Sequence, residues 1–545
     1  MKDLNQSAGN QLTVIKQAVK KTLPLIDNLQ AVMRKLNHKS CPDATTGLRV
    51  ILHLHRTPVE QTADGIVFAA GTDEAFSLPM SKECADFLMA EVVSKFHVSK
   101  PEAIRNIVRY QWCRQQHKGL RGELGAFYTP PLLAELLKEM LQPTLDALHE
   151  PVVFDSSAGL GGILGAFDEY TVVAADVDAK IVAALGDMGY TNVHCGNSLK
   201  GVSRAAYGIE ETANLVMVGN PPFSGASGCE MMNEADPSVA TKDLGLSFLL
   251  AAAKLKPKAI CMLHPLSYLS KPANFEQLKP LADNYKLLKG VIVSSADFEP
   301  SLGKTPFPVV AALYVPGSMT FADIGEFAFD IYEQRGSMMD TGKRLILNAI
   351  KTTDEFIRKY PPKKGMDQLS DIGIYQYNFR DANFVIAKGA LSCSNTASSI
   401  PVRYHQLGLY SYINCFKRHF GTHFVFGNFS PLARQADFED QDFVDSCIYD
   451  TIMNNQRLAP MNRTNQASFV LTKNLIQDAR KKAAQYQGGG VNPHQAFVDF
   501  WANGTNPDAL APFFADYFSK LRDASLSVVP QPLHRIAGQQ EAVAC

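Results

Sequence analysis

Val152-Val153-Phe154-Asp155-Ser156-Ser157-Ala158-Gly159-Leu160-Gly161-Gly162 reads as an apolar strand that ends on an acid and runs into a glycine-rich turn opening a helix. Glycines let backbone approach a ligand closely, and a carboxylate at a strand end can receive a cation. The turn is not a phosphate loop, because the G-K-[ST] ending is missing. Its spacing also departs from the dinucleotide G-x-G-x-x-G, and an acid ahead of the turn would repel a pyrophosphate. About 20 residues on, Val172-Val173-Ala174-Ala175-Asp176-Val177-Asp178 ends a second strand on an acid, the usual partner of ribose hydroxyls. One strand-end Asp alone often only caps the next helix. Two correctly spaced turns together point to a nucleoside ligand without a phosphate tail.

Outward from these turns, short β-branched runs alternate with helical patterns from about residue 105 to 316. The strands expected are Val152–Phe154, Thr171–Ala175, Asn192–His194, Leu215–Val218, Ala259–His264, Lys289–Val293 and Val309–Val315. Helices fit at Leu132–Leu141, Asp178–Met188, Leu244–Leu255 and Phe275–Asn284. Such alternation implies a doubly wound, largely parallel sheet of seven strands.

The most informative segment is Leu215-Val216-Met217-Val218-Gly219-Asn220-Pro221-Pro222-Phe223. A buried strand runs into an amide, two prolines and an aromatic. Each proline fixes its own φ and restricts the residue before it, so Asn220 and Pro221 are pinned in extended geometry. Two preorganised oxygen acceptors beside an aromatic face suit a flat substrate carrying an NH₂ group. The alternative is a rigid turn with no ligand.

With Gly125 to Pro130 (Gly-Ala-Phe-Tyr-Thr-Pro), the Asp155 turn, the Asp176 strand end and Gly196-Asn197-Ser198-Leu199, this segment stands in the order seen in the gamma-class, amino-group DNA adenine methyltransferases. The chain resembles these restriction–modification enzymes over roughly residues 105–316, and Lys304-Thr305 ahead of Val309–Tyr314 resembles the family's late β-hairpin. The resemblance implies a Rossmann-like methyltransferase fold with a seven-stranded mixed sheet and S-adenosylmethionine as cofactor. It implies that Phe127, Tyr128 and Thr129 contact the cofactor, that Asp155 receives its ammonium, and that Ala158, Gly159 and Gly161 make room for its chain. Asp176 would hold the ribose, Val177 would pack on the adenine, and Asn197 and Ser198 would lie at the adenine edge. Asn220, Pro221, Pro222 and Phe223 would hold an adenine flipped out of double-stranded DNA. Ser156 stands where the family usually has proline and Asn197 where it usually has aspartate; an asparagine oxygen still accepts a hydrogen bond from an exocyclic amine. Asn-Pro-Pro-aromatic also occurs in methyltransferases acting on RNA or on glutamine side chains of proteins, which keeps those substrates as alternatives. A non-catalytic DNA-binding subunit is a further one.

The chain has 545 residues, 46% hydrophobic and 20% charged, enough for several domains and too apolar for a disordered tail. Residues 1–104 read as an accessory domain, with a helix over Leu12–Leu36, strands at Leu48–His55 and Gly65–Ala70, and a helix over Ser81–Phe96. Residues 105–320 form the catalytic domain expected from the motifs, and 321–545 a target-recognition region. Lys+Arg of 53 against Asp+Glu of 54 gives a net charge of −1, so any nucleic-acid surface must be local. Within Phe416-Lys417-Arg418-His419-Phe420, Lys417 and Arg418 are the candidate DNA-phosphate contacts; otherwise the aromatics are core and the cations face solvent. Arg480-Lys481-Lys482 and Lys363-Lys364 are lesser basic clusters, and further helices are expected at Phe438–Asn454, Asn474–Gln485 and His494–Trp501, with Gly488-Gly489-Gly490 as a break. Ten cysteines with no C-x-x-C pair argue for a reducing, cytoplasmic setting and against a zinc ribbon, so no metal is expected. No apolar run approaches a bilayer span, so no membrane is expected. Partners expected are DNA and either a specificity subunit or a second copy of the chain.

Overall fold

The computed structural model describes residues 44–94, 129–223, 230–298, 306–334, 338–353, 370, 372–377, 391–393, 399–403, 406–421, 423–427, 429–455, 458 and 510–528. The expectations for Leu12–Leu36, Phe127, Tyr128, Lys304-Thr305, Lys363-Lys364 and everything between 459 and 509 lie outside these residues.

All seven expected strands are present: β1 (Val152–Asp155), β2 (Thr171–Asp176), β3 (Val193–Cys195), β4 (Leu215–Gly219), β5 (Ala259–Pro265), β6 (Tyr285–Ser294) and β7 (Pro308–Pro316). Their order is β3-β2-β1-β4-β5-β7-β6. The β1 to β5 pairs are parallel, and β7 runs antiparallel to both neighbours, with Val309 opposite Pro265 and Val293. This is the Rossmann-like mixed sheet of the class I methyltransferase fold. The order reverses between β1 and β4, and ligands bind at such switch points beyond the carboxyl ends of the strands.

The sheet does not stop at β6. It continues through β8 (Ala328–Gln334), β9 (Met338–Ile346) and β10 (Ser527–Val528), so ten strands join and residues beyond 320 share one sheet with β1 to β7. β8 and β9 form an antiparallel hairpin, and Thr341 donates to the carbonyl of Ile331 at 2.8 Å beside its bulge.

Helix α1 (Pro131–Asp146) starts on Pro131, whose missing N–H costs nothing in a first turn. α2 (Ala179–Asp187) is capped by Asp178, which accepts from the Lys180 amide. α3 (Leu244–Lys254) is capped by Asp243 and is buried almost all round. Apolar layers cover both sheet faces, Phe154, Met217 and Ile260 on one side and Val153, Val216 and Cys261 on the other, which is why these strands read as continuous apolar runs.

Two further expectations are corrected. Leu48–His55 is not a strand: Ala44–His53 is a helix. Helical spacing puts Arg49 and His53 on one face, where both meet Asp187 at the end of α2, while Val50, Ile51 and Leu52 are buried. Burial of these apolar side chains, with Arg49 paired to Asp187, favours the helix. The single helix expected over Phe275–Asn284 is three short turns, Pro272–Phe275, Glu276–Leu278 and Lys279–Ala282, and Pro280 lacks the N–H that a continuous ladder through the stretch needs. Gly65–Phe68 is a strand as expected, the centre of a small antiparallel sheet with Val59–Thr62 and Phe76–Pro79. Lys82–Leu88 is the start of the expected helix at 81 and is capped by Ser81.

Beyond the sheet, α4 (Leu407–His419), α5 (Gln441–Asn454) and α6 (Leu510–Ala524) pack around the aromatic residues. Tyr412, Phe416 and Phe426 are buried, and Phe416 stacks on Phe420 at 4.3 Å.

Candidate functional site

Asp155 ends β1 with neighbours Ala174 on β2 and Val218 on β4, so the first acid sits in the crevice of the switch point. Its side chain is 2% exposed and accepts from the Ser157 amide at 2.9 Å. Burial pushes its pKa up to about 7; the Ser157 amide opposes that rise and the nearby Asp176 charge adds to it. A carboxylate held at this cost is poised to gain from a cationic partner.

The turn that follows is held open by its glycines. Gly159 and Gly161 have φ of +52° and +71°, a region that side chains with a Cβ seldom enter. A Cβ on Gly162 would lie 3.0 Å from the carbonyl oxygen of Thr129. That close approach brings the segment before α1 against the turn, and it places the described end of Phe127-Tyr128-Thr129 at the site. Thr129 itself is buried, as is Ala158.

Asp176 ends β2 and reaches back across the turn, accepting from the Gly159 amide at 3.0 Å and the Asp178 amide at 3.0 Å. Burial raises its pKa, against those two hydrogen bonds. The next residue, Val177, is an apolar side chain 42% exposed, a surface that a flat ring would cover. Asn197 follows β3. Its amide oxygen accepts from the Leu199 amide at 3.0 Å and its nitrogen donates to the Met231 carbonyl at 2.8 Å. The oxygen keeps a second lone pair, so the orientation is set while one acceptor position remains. Ser198 is buried and donates to the Ser156 carbonyl at 2.7 Å, tying the β3 loop to the β1 loop. Asp155, Ala158, Gly159, Gly161, Asp176, Val177, Asn197 and Ser198 are therefore gathered on one rim of the sheet.

Asn220, Pro221, Pro222 and Phe223 leave β4 on the same rim. A Cβ on Gly219 would lie 3.3 Å from Oδ1 of Asp155, so the loop departs beside that carboxylate. Pro221 is buried and Phe223 is half-buried against the apolar layer.

Sequence reading missed the support under this loop. The Tyr268 hydroxyl donates to Asp243, the cap of α3. A Cβ on Gly245 would lie 2.5 Å from that hydroxyl and 3.3 Å from the Pro222 carbonyl oxygen. Gly245 thus lets the α3 N-terminus, Tyr268 and the proline pair meet. Tyr268 stacks on His264 at 5.5 Å, and His264 Nε2 lies 2.8 Å from the Tyr314 hydroxyl. His264 Nδ1 faces the Pro265 carbonyl at 3.1 Å, which places the proton on Nδ1 and makes Tyr314 the donor to Nε2. Burial lowers His264 to about 4, keeping it neutral. A Gly one residue into a helix was the signal available, and it reads equally as a weak helix start.

Lys417 and Arg418 do not lie on these loops. They sit in the last turn of α4, Lys417 half-buried, with Arg418 3.6 Å from the wholly buried Asp450 on α5. The flanking Phe416 and Phe420 are core.

No protein-family model matches the chain, and no curated protein matches its sequence. Among solved structures, it is similar to a candidate class I S-adenosylmethionine-dependent methyltransferase from Listeria monocytogenes, at 11% identity over 55% of this chain and 89% of that one, with a TM-score of 0.38. It is also similar to the methyltransferase subunit of a type I restriction–modification system from Streptococcus thermophilus, at 15% identity over 47% and 57% of the two chains and a TM-score of 0.33. A modification subunit of a candidate type I restriction enzyme from Vibrio vulnificus shares 12% identity over 54% and 68%, with a TM-score of 0.35. These are partial overlaps, and the fold is read from the chain's own strand order.

Proposed function

We propose that the chain is a DNA methyltransferase that binds S-adenosylmethionine and modifies the N6 amino group of adenine. The observation that carries this reading is the departure of Asn220-Pro221-Pro222-Phe223 from β4 directly beside Asp155 on β1. An acceptor-lined loop for a planar amine and a buried acid for an ammonium thus share one crevice. The residues fit the cofactor: Asp155 for its ammonium, the Gly159–Gly161 turn for its chain, Asp176 for the ribose, Val177 for the adenine face and Asn197 for the adenine edge. When bound, S-adenosylmethionine supplies an electrophilic methyl group.

The chain's own work is positioning. An exocyclic adenine amine is a poor nucleophile, because its lone pair is delocalised into the ring. Accepting its two hydrogens at the Asn220 amide oxygen and the Pro221 carbonyl favours a pyramidal nitrogen with a directed lone pair. Phe223 stacks on the ring and offsets part of the few kcal/mol that flipping a base out of a duplex costs. The amine becomes acidic once methylated, so a strong base is not needed, and orientation with electrostatics supplies the rate. Target recognition is assigned to the region after 320, either within this chain or with a specificity subunit.

The test is methyl transfer from labelled cofactor to DNA, RNA and protein in parallel, with single-molecule sequencing of DNA from cells expressing the chain. Transfer to DNA at a discrete adenine motif is the expected result. Asn220→Ala should lose orders of magnitude in transfer while keeping cofactor affinity. Transfer only to RNA or protein, or normal DNA methylation by Asn220→Ala, overturns the reading.

A further inference from the structure

The ten cysteines are scattered in sequence, yet the fold gathers two of them with a histidine and an acid, away from the loops around Asp155 and Asn220. Cys415 and His419 are four residues apart on α4, and Cys447 and Asp450 three apart on α5. Each pair therefore lies on one helix face, and the two helices pack with those faces together. The possible ligand atoms of Cys415, His419 and Asp450 all lie within 4.8 Å of one another. Cys447 stands outside that trio, with its thiol against the Cys415 thiol, which burial, Cys447 and Asp450 all push well up. Cys415, Cys447 and Asp450 are fully buried and His419 nearly so. Phe514 of α6 stacks on the His419 ring at 5.3 Å and closes that side.

We propose that Cys415, His419, Cys447 and Asp450 form a structural zinc site that clamps α4 to α5. Two thiols, an imidazole and a carboxylate are the donor set of tetrahedral zinc, and the thiols disfavour magnesium or calcium. Bonds of about 2.0–2.3 Å put tetrahedral ligand atoms about 3.3–3.8 Å apart; His419 Nε2 and Asp450 Oδ2 already stand 3.1 Å apart, and the Cys447 thiol has to swing in beside Cys415 to complete the set. Binding releases the two thiol protons to solvent, and the product of Zn²⁺ with two thiolates and one carboxylate carries one net negative charge. Arg418, 3.6 Å from Asp450 Oδ1, supplies the compensating positive charge, and Asn454 donates to the same oxygen at 3.0 Å. Both orient the carboxylate from outside the ligand set. The competing arrangement is a His419–Asp450 ion pair, at 3.1 Å, beside two inert thiols.

The experiment uses the full chain purified under reducing conditions, with zinc content measured by mass spectrometry after dialysis and Co²⁺ titrated into chelator-stripped protein. One zinc per chain is expected, with a cobalt complex showing thiolate-to-metal charge transfer and the intense visible bands of tetrahedral geometry. The Cys415→Ser/Cys447→Ser variant should lose both signals while its circular dichroism stays native. Should that variant unfold, the stripped wild-type protein decides: its melting temperature should fall and recover on adding Zn²⁺ alone. Absence of retained metal with a weak octahedral cobalt spectrum, full metal content in the double variant, a stripped protein whose melting ignores Zn²⁺, or a Cys415–Cys447 disulfide in the unreduced mass each overturns the site.

Discussion

Replacing Asp155 with asparagine should weaken cofactor binding and at the same time stabilise the free protein. The carboxyl moves from its ordinary 3.8 to about 7, chiefly through burial. A carboxyl with a raised folded pKa binds more protons folded than unfolded between those values, so its contribution to stability falls as pH rises from about 4 to about 7. The full span is about 4 kcal/mol at 1.36 kcal/mol per unit, and relaxation of the site leaves about 1–4. Asparagine keeps an oxygen for the Ser157 amide but carries no charge. At pH 8 Asp155→Asn should therefore melt above the parent chain, and at pH 5 the difference should shrink. Cofactor affinity should move oppositely. The carboxyl ionises and the ligand's amine, with a pKa of about 7.8, deprotonates over overlapping ranges, so parent affinity should rise about sixfold from pH 6 to about pH 7.4 and fall above it. Calorimetric titration with S-adenosylmethionine at several pH values, paired with scanning calorimetry of the free protein, measures both. A variant that melts lower at pH 8 and binds undiminished would mean that Asp155 is a structural acid and that the site lies elsewhere.

Gly245→Ala should lower melting and slow transfer, although alanine is favoured over glycine in a helix by about 1 kcal/mol. Its Cβ would meet the buried Tyr268 hydroxyl at 2.5 Å, and overpacking costs about 1–3 kcal/mol. Adding Tyr268→Phe should recover most of the stability, and a more stable single variant would disprove the contact. Arg204→Ala should cost about 3–5 kcal/mol in urea unfolding, because the buried guanidinium donates to the carbonyls of Leu255, Glu210, Glu211, Ala213 and Lys256 at the entry to β4. A loss under about 1 kcal/mol would mean that water replaces it freely. Phe223→Trp should retain more methyl transfer than Phe223→Ala, since any flat ring can stack; equal losses would remove stacking from the mechanism.

Much of the segment from 152 to 316 was legible in the chain because local and tertiary demands agree there. β1, β4, β5 and β7 are buried on both faces, so each is a short apolar run bounded by turn residues, and the acids at 155 and 176 stand at strand ends by spacing alone. The proline pair at 221 and 222 dictates its own backbone shape. What the chain order does not carry is who meets whom across it. The helix at Ala44–His53 packs Arg49 and His53 against Asp187 and buries Val50, Ile51 and Leu52 against residues more than forty positions beyond them in the chain. The extension of the sheet to β10 depends on Lys343 and Arg344 pairing with Val528 and Ser527. The contact between Gly245, Tyr268 and Pro222 leaves no pattern, because it joins a helix start, a short helix and a loop. The same holds for Cys415, His419 and Asp450, which become one cluster only when α4 and α5 face each other. Periodicity records which side of an element is buried, and only packing chooses the partner it is buried against.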